Sequence, residues 1–409
     1  MYSSKYQRTL VILFCLSWGF VFLDRQAITF VFPMLVEEFQ MSMAEVGSIT
    51  MWCSLAFAIS GIIFGVAADR TGYRKRLLIP FLILGALFSG LTAIGSTVFM
   101  LMVIRFLVGF FEGPVYPLQT TMMQQQTDPK KFAVNIGIIS MGGVILSAII
   151  GPIMVTQLAY HFDWHLAFII TATPAFIVAL IIAFYSKEVD REKIIAGRGE
   201  KTSIWSQFAE LCKYKNFIIC VILQILVMGS SWGAATYGGV FWVQEGGFTQ
   251  EQFGVIMTVF GIMGVLYNLI APRVADRIGR RPTCAILFFL MIIPGVAMYF
   301  SASFFVLILS TVFGPVQTFL IQLIQGIIGN ESVPPHLAST NTAILMGVGE
   351  ILGAAVLVRI LGSVADAFGV STVFLISAIT ALIGGLVALA LQETNPNRKI
   401  PQTQTTAAK

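Results

Sequence analysis

Charge is what this chain has least of. Asp, Glu, Lys and Arg make up 11% of its 409 residues while 57% are hydrophobic, against about a quarter charged in a soluble globular domain. Too little polar surface remains to cover a soluble globule of this size. Histidine is almost missing: His161, His165 and His336 are the only three, each lies near the end of an apolar stretch, and a histidine proton relay is not expected. The five cysteines, Cys15, Cys53, Cys212, Cys220 and Cys284, show no metal-ligand spacing and mostly sit in apolar segments, so neither a disulfide framework nor a metal site is expected. No Ser-His-Asp or nucleotide-binding pattern occurs, and the longest polar segment, 186–216, is too short for a catalytic domain. The sequence does not read as an enzyme, and no cofactor is expected.

What the chain does have is long apolar runs. A hydrocarbon core of about 30 Å takes some 17 to 25 apolar residues per helix, and twelve stretches meet that length. They lie near 9–32, 47–67, 77–96, 98–121, 135–159, 165–185, 217–243, 253–274, 283–301, 304–328, 337–361 and 370–391. The first is too long for a removable signal peptide and lacks a small-residue cleavage site. A net charge of +5 would suit a nucleic-acid partner, but its distribution points elsewhere. With a cytoplasmic N-terminus, every Lys and Arg except Arg25, Arg105 and Arg359 falls in cytoplasmic segments or at their helix ends, whereas Glu37, Glu38, Glu45, Asp163, Glu245, Glu251 and Asp366 occupy the outer connections. The positive-inside rule then puts both termini in the cytoplasm. The expectation is an all-α, multi-pass protein of a bacterial inner or plasma membrane, surrounded by lipid and monomeric, with no nucleic-acid partner.

The two halves of the chain repeat. Between the second and third stretches the sequence reads Gly65-Val-Ala-Ala-Asp69-Arg70-Thr-Gly72-Tyr-Arg74-Lys75-Arg76; between the eighth and ninth it reads Pro272-Arg273-Val-Ala-Asp276-Arg277-Ile-Gly279-Arg280-Arg281. The Asp-Arg pairs are 207 positions apart, about half the chain. A small residue permits close helix approach, a carboxylate at a helix end holds basic groups of its own loop, and glycine permits the tight turn. Residues 1–185 are thus expected to form one six-helix bundle, 186–216 a cytoplasmic linker, 217–391 a second bundle and 392–409 a tail. Present twice, the pattern resembles the loop signature of the major facilitator superfamily, over essentially the whole chain. That resemblance implies two pseudo-symmetric bundles around a cavity lined by helices one, four, seven and ten, which rock about a mid-membrane site. It also implies that Gly65, Asp69, Arg70, Asp276 and Arg277 form conformational latches rather than substrate contacts.

Apart from Arg273 at a cytoplasmic helix end, six charged residues lie inside the apolar stretches: Asp24, Arg25, Arg105, Glu112, Glu350 and Arg359. A charge at the bilayer centre costs at least about 2.5 to 3.5 kcal/mol on insertion scales, so such groups face a cavity, a partner or a bound ion. At 1.5 Å per residue, Asp24 lies roughly 22 Å from the cytoplasmic start of its helix, Arg105 roughly 10 Å from the outer start of the fourth, and Glu350 roughly 20 Å from the cytoplasmic start of the eleventh. Arg105 and Glu112 are two turns apart on one face. With Asp24-Arg25 opposite, they would form a vertical charge ladder. The competing structural reading makes Asp24-Arg25 and Arg105-Glu112 permanent ion pairs that fix helix packing. Glu350 reads either as a further proton site or as a partner for Arg359.

Leu23-Asp24-Arg25, together with Arg105-Phe-Leu-Val-Gly109-Phe-Phe-Glu112-Gly113-Pro-Val-Tyr-Pro117, is similar to the anion:cation symporter family within that superfamily. The resemblance implies that Arg25 attracts a substrate carboxylate, that Asp24 and Glu112 take up protons, and that Arg105 pairs with these acids and tunes them. The chemistry agrees. Arginine offers a bidentate fork to carboxylates, while burial favours the neutral form of an acid and a nearby arginine its charged form. Weaker candidates on the lining helices are Gln224, Ser230, Ser231, Trp232, Tyr237, Gln317, Gln322 and Gln325, of which Tyr237 and Gln317 are preferred as substrate contacts. Gly113-Pro114 and Pro117 are expected to kink helix four. Trp164-His165-Leu-Ala-Phe168 resembles the superfamily's entry to helix six and is assigned a structural role.

The leading expectation is proton-coupled uptake of a small organic anion, a sugar acid or another monocarboxylate. The alternative is proton-coupled efflux of a drug or metabolite on the same fold. Helix five reads Ser147-Ala-Ile-Ile-Gly151-Pro152-Ile-Met-Val-Thr156, without the trailing glycines common in efflux members. Proton-independent anion exchange and a non-transporting sensor are further readings.

Overall fold

The computed structural model describes residues 3–128, 131–188 and 204–395. Most of the expected linker, 189–203, and most of the expected tail, 396–409, lie outside the described residues. Twelve described helices are long and apolar enough to cross a membrane. They are α1 (Ser4–Phe39), α2 (Met43–Ala68), α3 (Lys75–Ile94), α4 (Val98–Gln126), α5 (Val134–His161), α6 (Trp164–Tyr185), α7 (Lys215–Glu245), α8 (Gln250–Ile278), α9 (Arg280–Phe300), α10 (Phe304–Glu331), α11 (Pro335–Phe368) and α12 (Ser371–Ala388). No strand occurs among the described residues. Each expected stretch overlaps one of these helices, although 77–96, 283–301 and 370–391 run past the helix end. Several helices outrun their apolar windows, because polar residues at the ends continue the backbone ladder: α1 has 36 residues, more than a bilayer needs.

The repeat extends beyond the two loops. α2 and α8 both begin with a capping box, Ser42 with Glu45 and Thr249 with Gln252, at the same offset as Asp69 and Asp276. The α2 helix continues past its apolar span to Thr71, and it and α8 are each followed by a glycine with positive φ, Gly72 at 74° and Gly279 at 109°, a region that residues other than glycine rarely adopt. Each following helix is then held at its N-terminus by a carboxylate from the end of its own half. Glu188 accepts from the backbone N–H groups of Arg74, Lys75 and Arg76, and Glu393 from those of Arg280 and Arg281. A negative charge on exposed N–H groups is what a helix start favours. α4 and α10 are both interrupted at a Gly-Pro pair, Gly113-Pro114 and Gly314-Pro315, where proline removes a helix donor.

Close approach between α1–α6 and α7–α12 is concentrated at the end of the bundle away from the basic loops. Glycines make it possible. A Cβ on Gly47 of α2 would lie 2.3 Å from the Tyr237 hydroxyl, one on Gly362 of α11 2.4 Å from the Met43 carbonyl oxygen, and one on Gly261 of α8 1.8 Å from the Ala148 carbonyl oxygen of α5. Tyr237 of α7 donates to the Val358 carbonyl at 2.8 Å and the Met43 carbonyl at 3.4 Å. Asp366 at the end of α11 accepts from the N–H groups of Met43 and Ala44 at the start of α2. Gln250 of α8 donates to the Phe30 carbonyl of α1. Towards the basic end the same helices part: Gly65 of α2 and Gly137 of α5 have no atom within 4 Å of a would-be Cβ.

Candidate functional site

Asp24 and Arg25 both sit in the middle of α1 and both are buried, yet they serve different places. Successive residues on a helix turn by about 100°, so when one points across the seam between the halves, the other points back into its own half.

Arg25 points across the seam. Its Nη1 donates to Glu350 Oε1 of α11 at 3.2 Å, and its Nη2 is bonded to Glu350 Oε2 and donates to Ser54 Oγ of α2 at 3.1 Å. The guanidinium carbon lies 4.2 Å from the Phe57 ring centre and 4.5 Å from that of Trp232, so rings of α2 and α7 cover the cation, as arginine's weak hydration allows. A small cleft opens beside it, lined by Ile28, Thr29, Ile49, Thr50, Cys53, Ser54 and Trp232. Glu350 stands on a π-helical stretch of α11, Gly349–Leu357, an irregularity frequent at functional positions. Gly349 and Gly353 let this stretch press on Gln224 and Met228 of α7.

Asp24 points the other way. It shares a second small pocket with Glu112, bounded by Ser17, Val21, Phe81, Leu82, Gly85, Ala86 and Ala175 of α1, α3 and α6. Neither carboxylate oxygen of Glu112, nor Asp24 Oδ1, has a hydrogen-bond partner. Gly85 leaves room for the acid: a Cβ there would touch Glu112 at 3.5 Å. The break at Gly113-Pro114 follows directly, and Gly109 and Gly113 bring α4 against the Cys53 and Phe57 carbonyls of α2. Two turns beyond Glu112, Gln119 is bonded to Ser17 at the pocket edge.

Arg105, two turns before Glu112, donates from Nη1 to the Asp24 backbone carbonyl at 2.8 Å, and its guanidinium lies over the Phe168 ring at 4.8 Å. Its Nε and Nη2 are buried without partners.

The expected charge ladder is therefore split. Asp24 and Arg25 do not pair with each other, and Arg105 meets Asp24 through a backbone oxygen rather than a carboxylate. The buried ion pair that does form joins Arg25 to Glu350, across 325 residues. Arg359, the other partner weighed for Glu350, instead bonds Ser363 on an exposed stretch of α11. Of the preferred aromatic and amide candidates, Tyr237 is fully buried in the closed seam, one residue from Thr236, which bonds Thr50 of the cleft. Gln317 is buried on α10 beyond the Gly-Pro break. Gln224 bonds Gln325, and Ser230 turns to Thr380 of α12. The loop residues lie far along the chain's basic end: Gly65 faces open space, Arg70 and Arg277 are exposed, and Asp276 pairs with Arg280, which also reaches Glu331. The Asp69 side chain lies outside the described residues.

Three residues were not read from the sequence as contacts of the arginines: Ser54 and Phe57 at Arg25, and Phe168 at Arg105. Ser54 and Phe57 fall with Thr50 and Cys53 on one helical stripe of α2, a spacing that could have been read. Phe168 belongs to the Trp164 motif, whose indole donates to Glu38 while Phe168 supports Arg105. Beside it, outside the spans, burial pushes the Asp163 carboxyl up, but hydrogen bonds from His165 outweigh this and hold it below its ordinary range.

The family model described as Major Facilitator Superfamily matches residues 14–357, with a second match over 247–408. The chain is similar to a hexuronate transporter of Bacillus subtilis, 27% identical over 66% of this chain and 65% of the relative. It is also similar to a hexuronate transporter of Escherichia coli, 23% identical over 93% of both chains. Among solved structures it resembles a bacterial homologue of the human lysosomal transporter Spinster, in an inward-facing and unoccupied conformation, with a TM-score of 0.81 at 16% identity over 95% of this chain and 97% of that one. The twelve apolar helices, their two-fold repeat and these matches agree: the chain belongs to the Major Facilitator Superfamily and is a multi-pass membrane transporter.

Proposed function

We propose that the protein carries a small organic anion, a sugar acid or another monocarboxylate, into the cell together with protons. The observation that carries this reading is the pairing of a seam-facing arginine with a separate, proton-ready pocket. Arg25 presents its fork where α1, α2, α7 and α11 meet, and a bidentate guanidinium suits a carboxylate. Glu112 and Asp24 lie one helix face away, buried and short of partners. An ionised carboxylate in such a place is costly, so these acids are suited to take up and release a proton as the halves move. Arg105 stands in electrostatic reach of both and sets which of them holds it. The two hexuronate-transporting relatives support an anionic sugar acid as the first substrate to try.

In this reading residues 1–185 and 217–391 are the two rocking bundles, joined by 186–216, and the basic end is cytoplasmic. The conformation described is then closed outside by Tyr237, Asp366 and the glycine contacts, and parted inside, with the Gly65 latch released. Protein reconstituted into liposomes tests it: uptake of sugar acids and aromatic carboxylates is measured under an inward proton gradient. Accumulation that collapses with the gradient supports the reading. Export of a lipophilic drug in exchange for protons, with no anion uptake, would establish the efflux alternative instead.

A further inference from the structure

Glu350 has no place in the scheme above, yet it makes the one buried ion pair described within the spans. The Arg25 guanidinium is in contact with the Phe57 and Trp232 rings. Its end-on edge is occupied by both carboxylate oxygens of Glu350, and Ser54 takes the remaining Nη2 position. A substrate carboxylate therefore cannot take the end-on, two-pronged position on the two Nη groups while Glu350 holds it. At the same time Arg25 Nε is buried with no acceptor, so the guanidinium keeps unused donor capacity even with Glu350 in place. The partner comes from the opposite half of the protein, on a π-helical turn packed through Gly349 and Gly353, where a change of helical register could withdraw it.

We propose that Glu350 is a resident competitor for the substrate anion: its carboxylate fills the Arg25 fork in the empty carrier, and an incoming carboxylate replaces it only as Glu350 takes up a proton. The inference rests on the anion-uptake reading of Arg25. The exchange balances. The substrate carboxylate accepts the two Nη–H bonds that Glu350 gives up, and one proton from water converts the Glu350 carboxylate to a neutral acid. Without that proton a displaced carboxylate would be left charged and unpaired in a buried site, which is strongly disfavoured. One anion and one proton thus enter the seam as a neutral pair. Besides Glu350, the titratable groups within electrostatic reach of Arg25 are Cys53 of α2 and Glu112 of α4; α7 contributes the Trp232 indole, which does not titrate.

The test is calorimetric titration of the purified full-length carrier with D-glucuronate, and in parallel with benzoate, at several pH values and in buffers of different ionisation enthalpy. Wild-type protein is expected to take up about one proton per anion beyond any that Glu350→Gln takes up, and its affinity to fall more steeply with rising pH than that variant's, by up to about tenfold per pH unit. Glu350→Gln is expected to bind at least about tenfold tighter at pH 8, with that proton uptake and pH slope removed. Unaltered protein gives a second readout: dicyclohexylcarbodiimide attacks buried protonated carboxyls, so labelling at Glu350 should rise when the anion is added. Coupled anion binding in the wild type, with unchanged affinity and proton uptake in Glu350→Gln and unchanged labelling, would overturn this inference and leave the anion reading standing. Failure of either anion to bind wild type, with binding of a cation that is lost in Glu350→Gln, would overturn both.

Discussion

Arg25 and Glu350 form a two-pronged ion pair between the first helix and the eleventh, across the seam between α1–α6 and α7–α12. Removing one member of a buried charge pair costs more than the pair itself contributes, because the other is left uncompensated. Arg25→Lys keeps the charge but loses the fork and the ring contacts. Anion affinity should fall by about thirtyfold or more, a loss of roughly 2 kcal/mol, while Asp24→Asn, facing the other pocket, should change affinity by less than about threefold. Equilibrium binding of glucuronate measures both. Equal losses in the two variants would mean that the two compartments are not separate.

The closed end of the seam rests on modest contacts. Tyr237→Phe removes a hydroxyl that donates to the Val358 and Met43 carbonyls, worth about 0.5 to 1.5 kcal/mol. Asp366→Ala removes a carboxylate from the first N–H groups of α2, worth about 0.3 to 1 kcal/mol. Each should raise the population open at this end several-fold, and together more. Distances between spin labels at the tops of α2 and α11 report the shift; no change in either variant would remove these residues from the closure.

Two glycines at equally tight contacts should fail differently. A Cβ on Gly109 would lie 2.1 Å from the Cys53 carbonyl oxygen, within one half; one on Gly261 would lie 1.8 Å from the Ala148 carbonyl oxygen, between halves. Overpacking costs typically about 1 to 3 kcal/mol. Gly109→Ala should lower the melting temperature, because that contact persists through the cycle. Gly261→Ala should instead disfavour the closed seam and leave the melting temperature near wild type, since parting of the halves relieves the clash. Thermal melts and spin-label distances on the two variants separate these outcomes.

The Glu188 and Glu393 contacts predict a symmetric cost. Replacing either with Gln leaves an acceptor but removes the charge from the start of α3 or α9, and should destabilise by about 0.5 to 2 kcal/mol. Comparable drops in melting temperature for Glu188→Gln and Glu393→Gln are expected. A loss confined to one would mean that the two loops are held differently.

Much of this was legible in the residues themselves. Twelve apolar runs and the doubled Asp-Arg loop gave the architecture, because hydrophobic length and an internal repeat are local properties of a chain. The five buried ionisable residues of the site were visible for the same reason. Their partners were not. Asp24 and Arg25 look like one pair in sequence, and only the helical turn between them sends one to α4 and the other to α11. Glu350 lies 325 residues from Arg25, and no spacing rule connects them. Tyr237 was singled out for its polarity on α7, but its hydroxyl meets two backbone carbonyls, which have no sequence signature. The carboxylates Glu188 and Glu393 went unremarked although they end matching halves, since a helix cap supplied from about a hundred residues away leaves no local pattern.

The central claim is that Glu112 couples the proton to the anion while Arg25 holds the anion. Its most direct test compares two assays on Glu112→Gln in liposomes: accumulation of glucuronate driven by an inward proton gradient, and exchange of labelled for unlabelled glucuronate with no gradient. The account predicts that accumulation is lost and exchange retained. Gradient-driven accumulation at the wild-type level in this variant would contradict it.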